Sequence, residues 1–561
     1  MELPTGTRLY LGIWAVAFHA INHAFFVAVA SGSCAPYPVG VRIGNVTLSN
    51  DSNARGVAMS VGTPEQDMAF VPQWNLNNTM LYGSSALCCA LSNGSVPWPA
   101  ESCITMRGGQ YDPFNSKTRT GVAPNAYPVD SPPYPGMSFV ADTVRVNDNV
   151  SLYDLPLGIA QNCWDDQGDH PQMAIGMGMN STFMSALVSS GMIATRAWSI
   201  FWGRQGATRN TQLDGSMVFG GYDRAKVTGT PLTQQLGPQQ WDRDNMKCPT
   251  GMTVYVSDLI LNFGDGTDVS LFSNDTMDSE FQYQEPAHKF PACIIPNAPY
   301  LMTLPLSPYF ENFRHYTSIF VDDRSFGINF NTMRYNLDDT PYRGDLTINI
   351  EPSLSIRIPN DQLVVPEKHI NSETGQWIVE DSCPNLVISL NDDVNLNDLP
   401  ILGRLFLTAA YLSVNEKKNE FSLWAANPTE KQDLVAFDSE GEETENFSGC
   451  GTTTSHDTSN GGVSTGAIAG IIIGVIIVLA AAVSIGFWLK KRRRSGPKAP
   501  ELEAREPPEL DALSQVEDKG SPPIYAPTSD LCPKAELGDS RAERMQNESP
   551  KPHMWYELAG S

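Results

Sequence analysis

Paired acids are the first chemistry to look for, because two carboxylates held about 3 Å apart share one proton and can activate a water. The chain offers Asp165-Asp166 and Asp322-Asp323 as adjacent pairs, and Asp67 as a single acid near a turn. Adjacent residues on a strand point to opposite faces, so adjacency alone builds no facing pair, and solvated loop acids are the plainer reading. His170, His288, His315, His369 and His456 show neither HExxH spacing nor a matched nucleophile motif. Gly462-Val463-Ser464-Thr465-Gly466 is formally GxSxG, but it stands in a Ser/Thr/Gly-rich stretch without the strand–turn–helix setting that motif needs. No CxxC occurs, and the adjacent Cys88-Cys89 makes a poor metal clamp, so no metal or other cofactor is expected.

The elements around these residues sort into a membrane-linked plan. Leu9 to Ala30 is an apolar run ending in the small residues Ala28-Val29-Ala30, which reads as a secretory signal peptide over 1–30 and takes His19 and His23 with it. Gly466 to Leu489 contains no charge and is long enough to cross about 30 Å of hydrocarbon as a helix. Lys490-Lys491-Arg492-Arg493-Arg494 follows at once, so the positive-inside bias places the C-terminus inside and the long N-terminal part outside. A plasma or secretory-pathway membrane, crossed once, is the expected location. Gly466, Gly470 and Gly474 form overlapping GxxxG spacings, which suit helix pairing but are common in membrane helices anyway.

The 561 residues carry a net charge of −25. Lys490–Ser561 holds 12 basic and 13 acidic residues, leaving 25 against 49 in the part before it. An ectodomain so acidic excludes nucleic acid or anionic lipid as partners of its surface. It suits an acidic medium, where carboxylates protonate and self-repulsion falls. Outside the membrane, Cys34, Cys88, Cys89, Cys103, Cys163, Cys248, Cys293 and Cys383 are disulfide candidates with unreadable connectivity, and Cys450 is the candidate odd thiol. Sequons at Asn45, Asn50, Asn77, Asn93, Asn149, Asn180, Asn274 and Asn446 fall on the same side, while Asn547 falls inside.

Between 31 and 427 the pattern is mainly β. Val57 to Val71 reads as strand, turn at Gly62-Thr63-Pro64, and returning strand. Cys88 to Pro113 is rich in Cys, Gly and Pro and predicts a disulfide-tied loop. Met137 to Val146 alternates, and Leu155 to Ala160 is a short apolar strand. Ala174-Ile175-Gly176-Met177-Gly178 leads into a helix capped near Ser181 and stopped at Gly191. Trp198-Ser199-Ile200-Phe201-Trp202 predicts a buried strand, and Asp214 to Gly221 a strand closed by a Gly pair. Pro428 to Thr465 shows no apolar period and suits a flexible stalk, and 490–561 a disordered tail.

These segments resemble, in order, the pepsin-like aspartic peptidases. VGTPEQ, AIGMG with its helix, RAWSIFWG, DGSMVFGGYD, the Cys293 to Pro305 stretch and Leu399 to Tyr411 (LPILGRLFLTAAY) carry the resemblance over roughly Val57 to Ala426. With its single-pass anchor and polar tail, the wording looks like membrane-anchored members from filamentous fungi. The resemblance implies a two-lobed β-fold with its lobe boundary near 225–245, and one catalytic aspartate per lobe on a Gly-containing loop. Those two positions fall on Gln73 and Pro296, and the glycines are replaced by Asn75 and Ala298. Gln has no titratable proton and Pro no carboxylate, so hydrolysis by the family mechanism is not expected. A family flap tyrosine finds no secure match at Tyr127 or Tyr134.

The expectation is therefore a non-catalytic ectodomain binding a peptide, protein or cell-wall ligand between its lobes. Two alternatives compete with it. One is an active surface endopeptidase using other acids. The other is a sensor working through tail motifs Pro500-Glu501-Leu502, Pro508-Glu509-Leu510, Ala535-Glu536-Leu537 and Tyr556-Glu557-Leu558, which could dock cytoplasmic partners.

Overall fold

Strand period two sets the opening of the chain: Val39, Val41 and Ile43 are buried while Arg42 between them is exposed. The computed structural model describes residues 36–445, apart from 75, 85–99, 123–126, 129, 131–136, 161–171, 207–210, 238–247, 273–286, 320, 322, 326, 338 and 393–394. β1 (Val39–Thr47), β2 (Asn53–Val61), β3 (Gln66–Gln73) and β4 (Thr79–Tyr82) precede helix α1 (Ala100–Arg107). β5 (Thr120–Gly121), β6 (Met137–Arg145), β7 (Ser151–Ala160) and β8 (Ala174–Gly176) lead to helix α2 (Thr182–Ser189), β9 (Ala197–Gln205), β10 (Gln212–Phe219), β11 (Gly221–Asp223) and β12 (Val227–Gln235).

The C-terminal half opens with β13 (Thr253–Asn262), β14 (Asp268–Ser270), β15 (Phe290–Ile294), β16 (Met302–Pro305) and helix α3 (Glu311–Thr317). It continues through β17 (Asp323–Arg324), β18 (Met333–Arg334), β19 (Asp345–Ile350), β20 (Leu354–Ile358), β21 (Val364–Ile370), β22 (Trp377–Leu386), β23 (Ile388–Asn391) and β24 (Ile401–Leu402). β25 (Ala410–Asn415), β26 (Glu420–Ala426), β27 (Leu434–Phe437) and β28 (Glu443–Thr444) complete the described chain.

Among the described residues, the N-terminal sheet runs β12-β26-β25-β9-β10-β1-β2-β3-β8-β4-β7-β6-β5, so two late strands, β25 and β26, return into it. The C-terminal half holds one sheet in the order β20-β19-β13-β15-β24-β16-β23 and a smaller one, β17-β18-β22-β21. β9 sits between β25 and β10, and its run Ala197 to Gly203 is buried throughout, as its apolar sequence predicts. Ser181 caps α2 by accepting the Met184 N–H at 3.0 Å, and Gly191 follows with φ of +71°.

Three expectations change. The Cys88–Pro113 segment is not loop throughout, because Ala100–Arg107 is helical. Its Ser102 to Arg107 are buried, and Cys103 is disulfide-bonded, so packing overrides a composition that looks loop-like. Residues 428–445 are folded rather than stalk: Leu434–Phe437 is buried and pairs with β11, a run too short to display a period. Asp323 is not a solvated loop acid, since it lies on β17 and pairs with Arg334.

Cys248 and Cys293 form a disulfide with Cα atoms 5.4 Å apart, and Cys383 is also bonded. Among the described residues no helix is long and apolar enough to cross a membrane. The segments 1–30 and 466–489, the tail, the GxSxG motif, Asp165-Asp166, Cys34, Cys88, Cys89, Cys163, Cys450, Asn93, Asn274 and Asn446 lie outside the described residues.

Candidate functional site

The two halves repeat one strand arrangement. β2 and β3 form an antiparallel pair, β3 runs parallel to β8, β8 antiparallel to β4, and β4 parallel to β7. β13 and β15 likewise pair antiparallel, β15 runs parallel to β24, β24 antiparallel to β16, and β16 parallel to β23. Each half thus has a crossing, where the loop leaving one strand passes beside an apolar-apolar-Gly strand. Those strands are Ala174-Ile175-Gly176 and Ile401-Leu402-Gly403. Their glycines are required by close approach: a Cβ at Gly176 would lie 2.6 Å from the Asn78 carbonyl, and one at Gly403 2.3 Å from Tyr300 O.

At the first crossing Gln73 ends β3 opposite Gly176, and its carbonyl accepts the Met177 N–H at 2.8 Å. Gln73 is only 4% exposed. Leu76 O accepts from Gly178 N–H at 2.7 Å and Asn77 O from Thr182 N–H at 2.9 Å, which ties the loop to the start of α2. Asp130, from the connection between β5 and β6, holds the other side of this loop. Its carboxylate accepts the Asn77 N–H at 2.7 Å and Asn78 Nδ2–H at 2.8 Å. Both oxygens of this acid are thus already engaged.

The second crossing is built differently. Ile295 N–H donates to Leu402 O at 2.9 Å, continuing the ladder in which Cys293 faces Ile401. Counted from that ladder, Ile295 occupies the station of Gln73. Counted back from β16, Pro296 does: Met302 faces Leu402, the counterpart of Ile175, and the antiparallel register that sets Met80 against Ala174 puts Thr79, six residues after Gln73, at that place. The loop is one residue longer, and a turn takes up the difference: Ala298 N–H returns to Ile295 O at 3.0 Å, with Pro296 at the corner its fixed φ favours. Arg404 N–H then bonds Ala298 O at 2.9 Å. Neither Ile295 nor Pro296 offers a carboxylate.

β9 serves both crossings. Trp74, beside Gln73, packs edge-on against Trp198 at 4.5 Å, and the Arg404 guanidinium lies over Trp202 at 5.5 Å. Trp198 and Trp202 are four residues apart on one strand face, about 13 Å by strand rise. The seam beside them is cationic. Arg55 donates to Trp202 O at 2.9 Å and Leu213 O at 3.0 Å, and burial lowers it to about 10 despite nearby Asp214. Burial, with Arg55 nearby, also lowers Lys368.

Of the acids singled out in the sequence, the described ones, Asp67 and Asp323, are not at the crossings, and Asp322 lies outside the described residues. Asp67 is exposed on the hairpin and accepts from Ser60 Oγ at 2.7 Å, while Asp323 is on the small sheet. His288, His315 and His369 are dispersed over a strand approach, α3 and β21. No cluster of His, Cys, Asp or Glu among the described residues could hold a metal ion. Tyr127 stacks on Phe139 with ring centroids 3.4 Å apart. On β6, Asp142 is buried. Burial opposes its ionisation, but hydrogen bonds from Thr118, Tyr111, Ser116 and the Thr143 N–H outweigh that and hold it below the usual carboxylate range. Sequon residues Asn45, Asn149 and Asn180 are exposed, while Asn50 and Asn77 are half-buried and hydrogen-bonded. Sequence reasoning missed Asp130 and the Arg55–Arg404–Lys368 seam, since partners so distant in the chain leave no local pattern.

Residues 170–426 match the family model described as eukaryotic aspartyl protease. With the mainly β, twice-repeated crossing, that match likens this part of the chain to a pepsin-like aspartyl protease domain. The match takes in the second crossing and the Ala174–Gly176 strand but begins after Gln73, whose place rests on topology. No curated relative matches the chain.

Proposed function

We propose that this domain binds a peptide, protein or cell-wall ligand between its halves without hydrolysing it. One observation carries the reading: where the repeat offers two equivalent loops, the strand ends hold Gln73 and Ile295-Pro296, and Asp130 is occupied by donors from Asn77 and Asn78. Water activation by a dyad needs two facing carboxylates sharing a proton, and these residues supply none. The burial of Gln73 and the joint anchoring of both crossings on β9 support a frame kept for shape.

On this reading the domain stands outside a membrane crossed by 466–489, with a stalk after residue 445 and the tail inside; the uncharged run and the basic cluster after it support that placement. The test is a mixed peptide library incubated with the purified chain between about pH 3 and 6, where dyad enzymes work. No cleavage is expected. Pepstatin-sensitive cleavage would sink the proposal and favour the endopeptidase alternative. Crosslinking on cells then identifies what the domain retains.

A further inference from the structure

We infer that the sequon asparagine Asn50 is the centre of a second joint between the two halves, and that its amide carries hydrogen bonds in place of a glycan. The first joint is the shared sheet, where β25 and β26 return beside β9. The second involves the tip of the β21–β22 hairpin, which belongs to a sheet sharing no strand with the N-terminal one. This inference stands on the hydrogen bonds themselves and does not rest on the ligand proposal.

The tip is pre-shaped. Asn371 Oδ1 accepts the N–H groups of Glu373 and Thr374, each at 2.9 Å, and Gly375 N–H returns to Asn371 O at 2.9 Å. So shaped, it inserts between α1 and the turn joining β1 to β2. Gly375 O accepts from Thr105 Oγ at 2.7 Å, and the Trp377 indole N–H donates to Asn53 O. Asn50 Nδ2 donates to Glu101 O at 2.8 Å and to Thr105 Oγ at 3.1 Å. Its Oδ1 accepts from the Ser52 N–H and, at 2.6 Å, from Ser52 Oγ. Ser52 and Thr105 are buried, so losing a partner would leave polar atoms away from water.

Space at the joint is as tight as its hydrogen bonding. Gly375 adopts φ of +69°, and a Cβ there would lie 2.4 Å from Glu101 O and 2.7 Å from Asn50 Nδ2. Attaching a sugar would replace one Nδ2 proton by a carbon, leaving one N–H for two acceptors and placing the sugar against Gly375. Glycan and joint therefore exclude each other at Asn50, whereas Asn45 and Asn149 are exposed. Two joints on different elements also deny the halves a simple hinge about the shared sheet, so a ligand enters without wide opening.

The experiment uses the full chain from a glycosylating eukaryotic host, with glycopeptide mapping and hydrogen exchange. Asn50 is expected unmodified. Gly375→Ala is expected to speed exchange about tenfold or more together in 48–53, 100–107 and 371–376, while β9 and β25 stay protected. Thr105→Val, which keeps the side-chain shape, should do the same more mildly and covers the case where Gly375→Ala does not fold. Gly264→Ala, with open space at its Cβ, is the control. A glycan on Asn50 of the folded chain, or faster exchange confined to 371–376, overturns the inference.

Discussion

The two crossings share a strand plan and differ in how they end. At the first, Gln73 finishes the ladder and the loop after it is bound on two sides, by α2 and by Asp130. At the second, Pro296 turns the chain one residue later, and the loop folds back on Ile295. Neither strand end holds a carboxylate, but the two are built differently. A buried amide ends the first strand opposite Gly176, while the second strand end runs into a turn. Both crossings keep a glycine at the close approach.

The largest break of the comparison should come from those glycines. Gly176→Ala and Gly403→Ala each drive a Cβ into backbone and should cost about 3 kcal/mol, read from urea unfolding midpoints at unchanged slope. If one were tolerated, the two approaches would not be equivalent. Next, Trp74→Ala should cost about 2 kcal/mol through its lost packing on Trp198, and Arg404→Leu about 1 through the lost contact over Trp202. A larger loss at Arg404 would place the main anchor on the second crossing.

Two buried acids sharpen the contrast through pH. The folded state holds Asp142 low, so its contribution is present above the ordinary carboxylate pKa and is lost as pH falls through the folded value. Asp142→Asn should therefore destabilise at neutral pH, with the difference shrinking in acid. Glu367 is buried, and burial raises it despite the hydrogen bond from Ser325 and the nearby Asn385, Arg334 and His369. Its favourable contribution is present below the unfolded pKa and is lost as pH rises through the folded one. Glu367→Gln should stabilise at neutral pH relative to acid, and thermal unfolding across pH 3 to 7, about the carboxylate range, checks both signs. The smallest effect is expected at Pro296→Ala, about 0.5 kcal/mol from a freer unfolded chain, with the Ala298-to-Ile295 turn retained.

Much of this was legible in the residues. The β2–β3 hairpin, the buried tryptophan strand and the capped helix after Gly178 follow from period, turn chemistry and capping, which are local. The helix at Ala100–Arg107 and the strand at Leu434–Phe437 were not legible, because each is short and owes its form to what covers it. At the site, Gln73 was placed by the family resemblance, whereas the slip at Ile295 and Pro296 could be seen only as a hydrogen-bond register.

The sequence by itself determined that no acid stands at the two loop positions, because residue type decides whether a proton can be held. It also determined the charge-free run at 466–489 and the acidity of all that precedes the tail. Only the tertiary structure decided that Asp130 binds the first crossing, that β9 anchors both, and that the Asn50 sequon lies inside a joint. These are contacts between residues tens to hundreds of positions apart, and such pairings are fixed by packing, which no local pattern records.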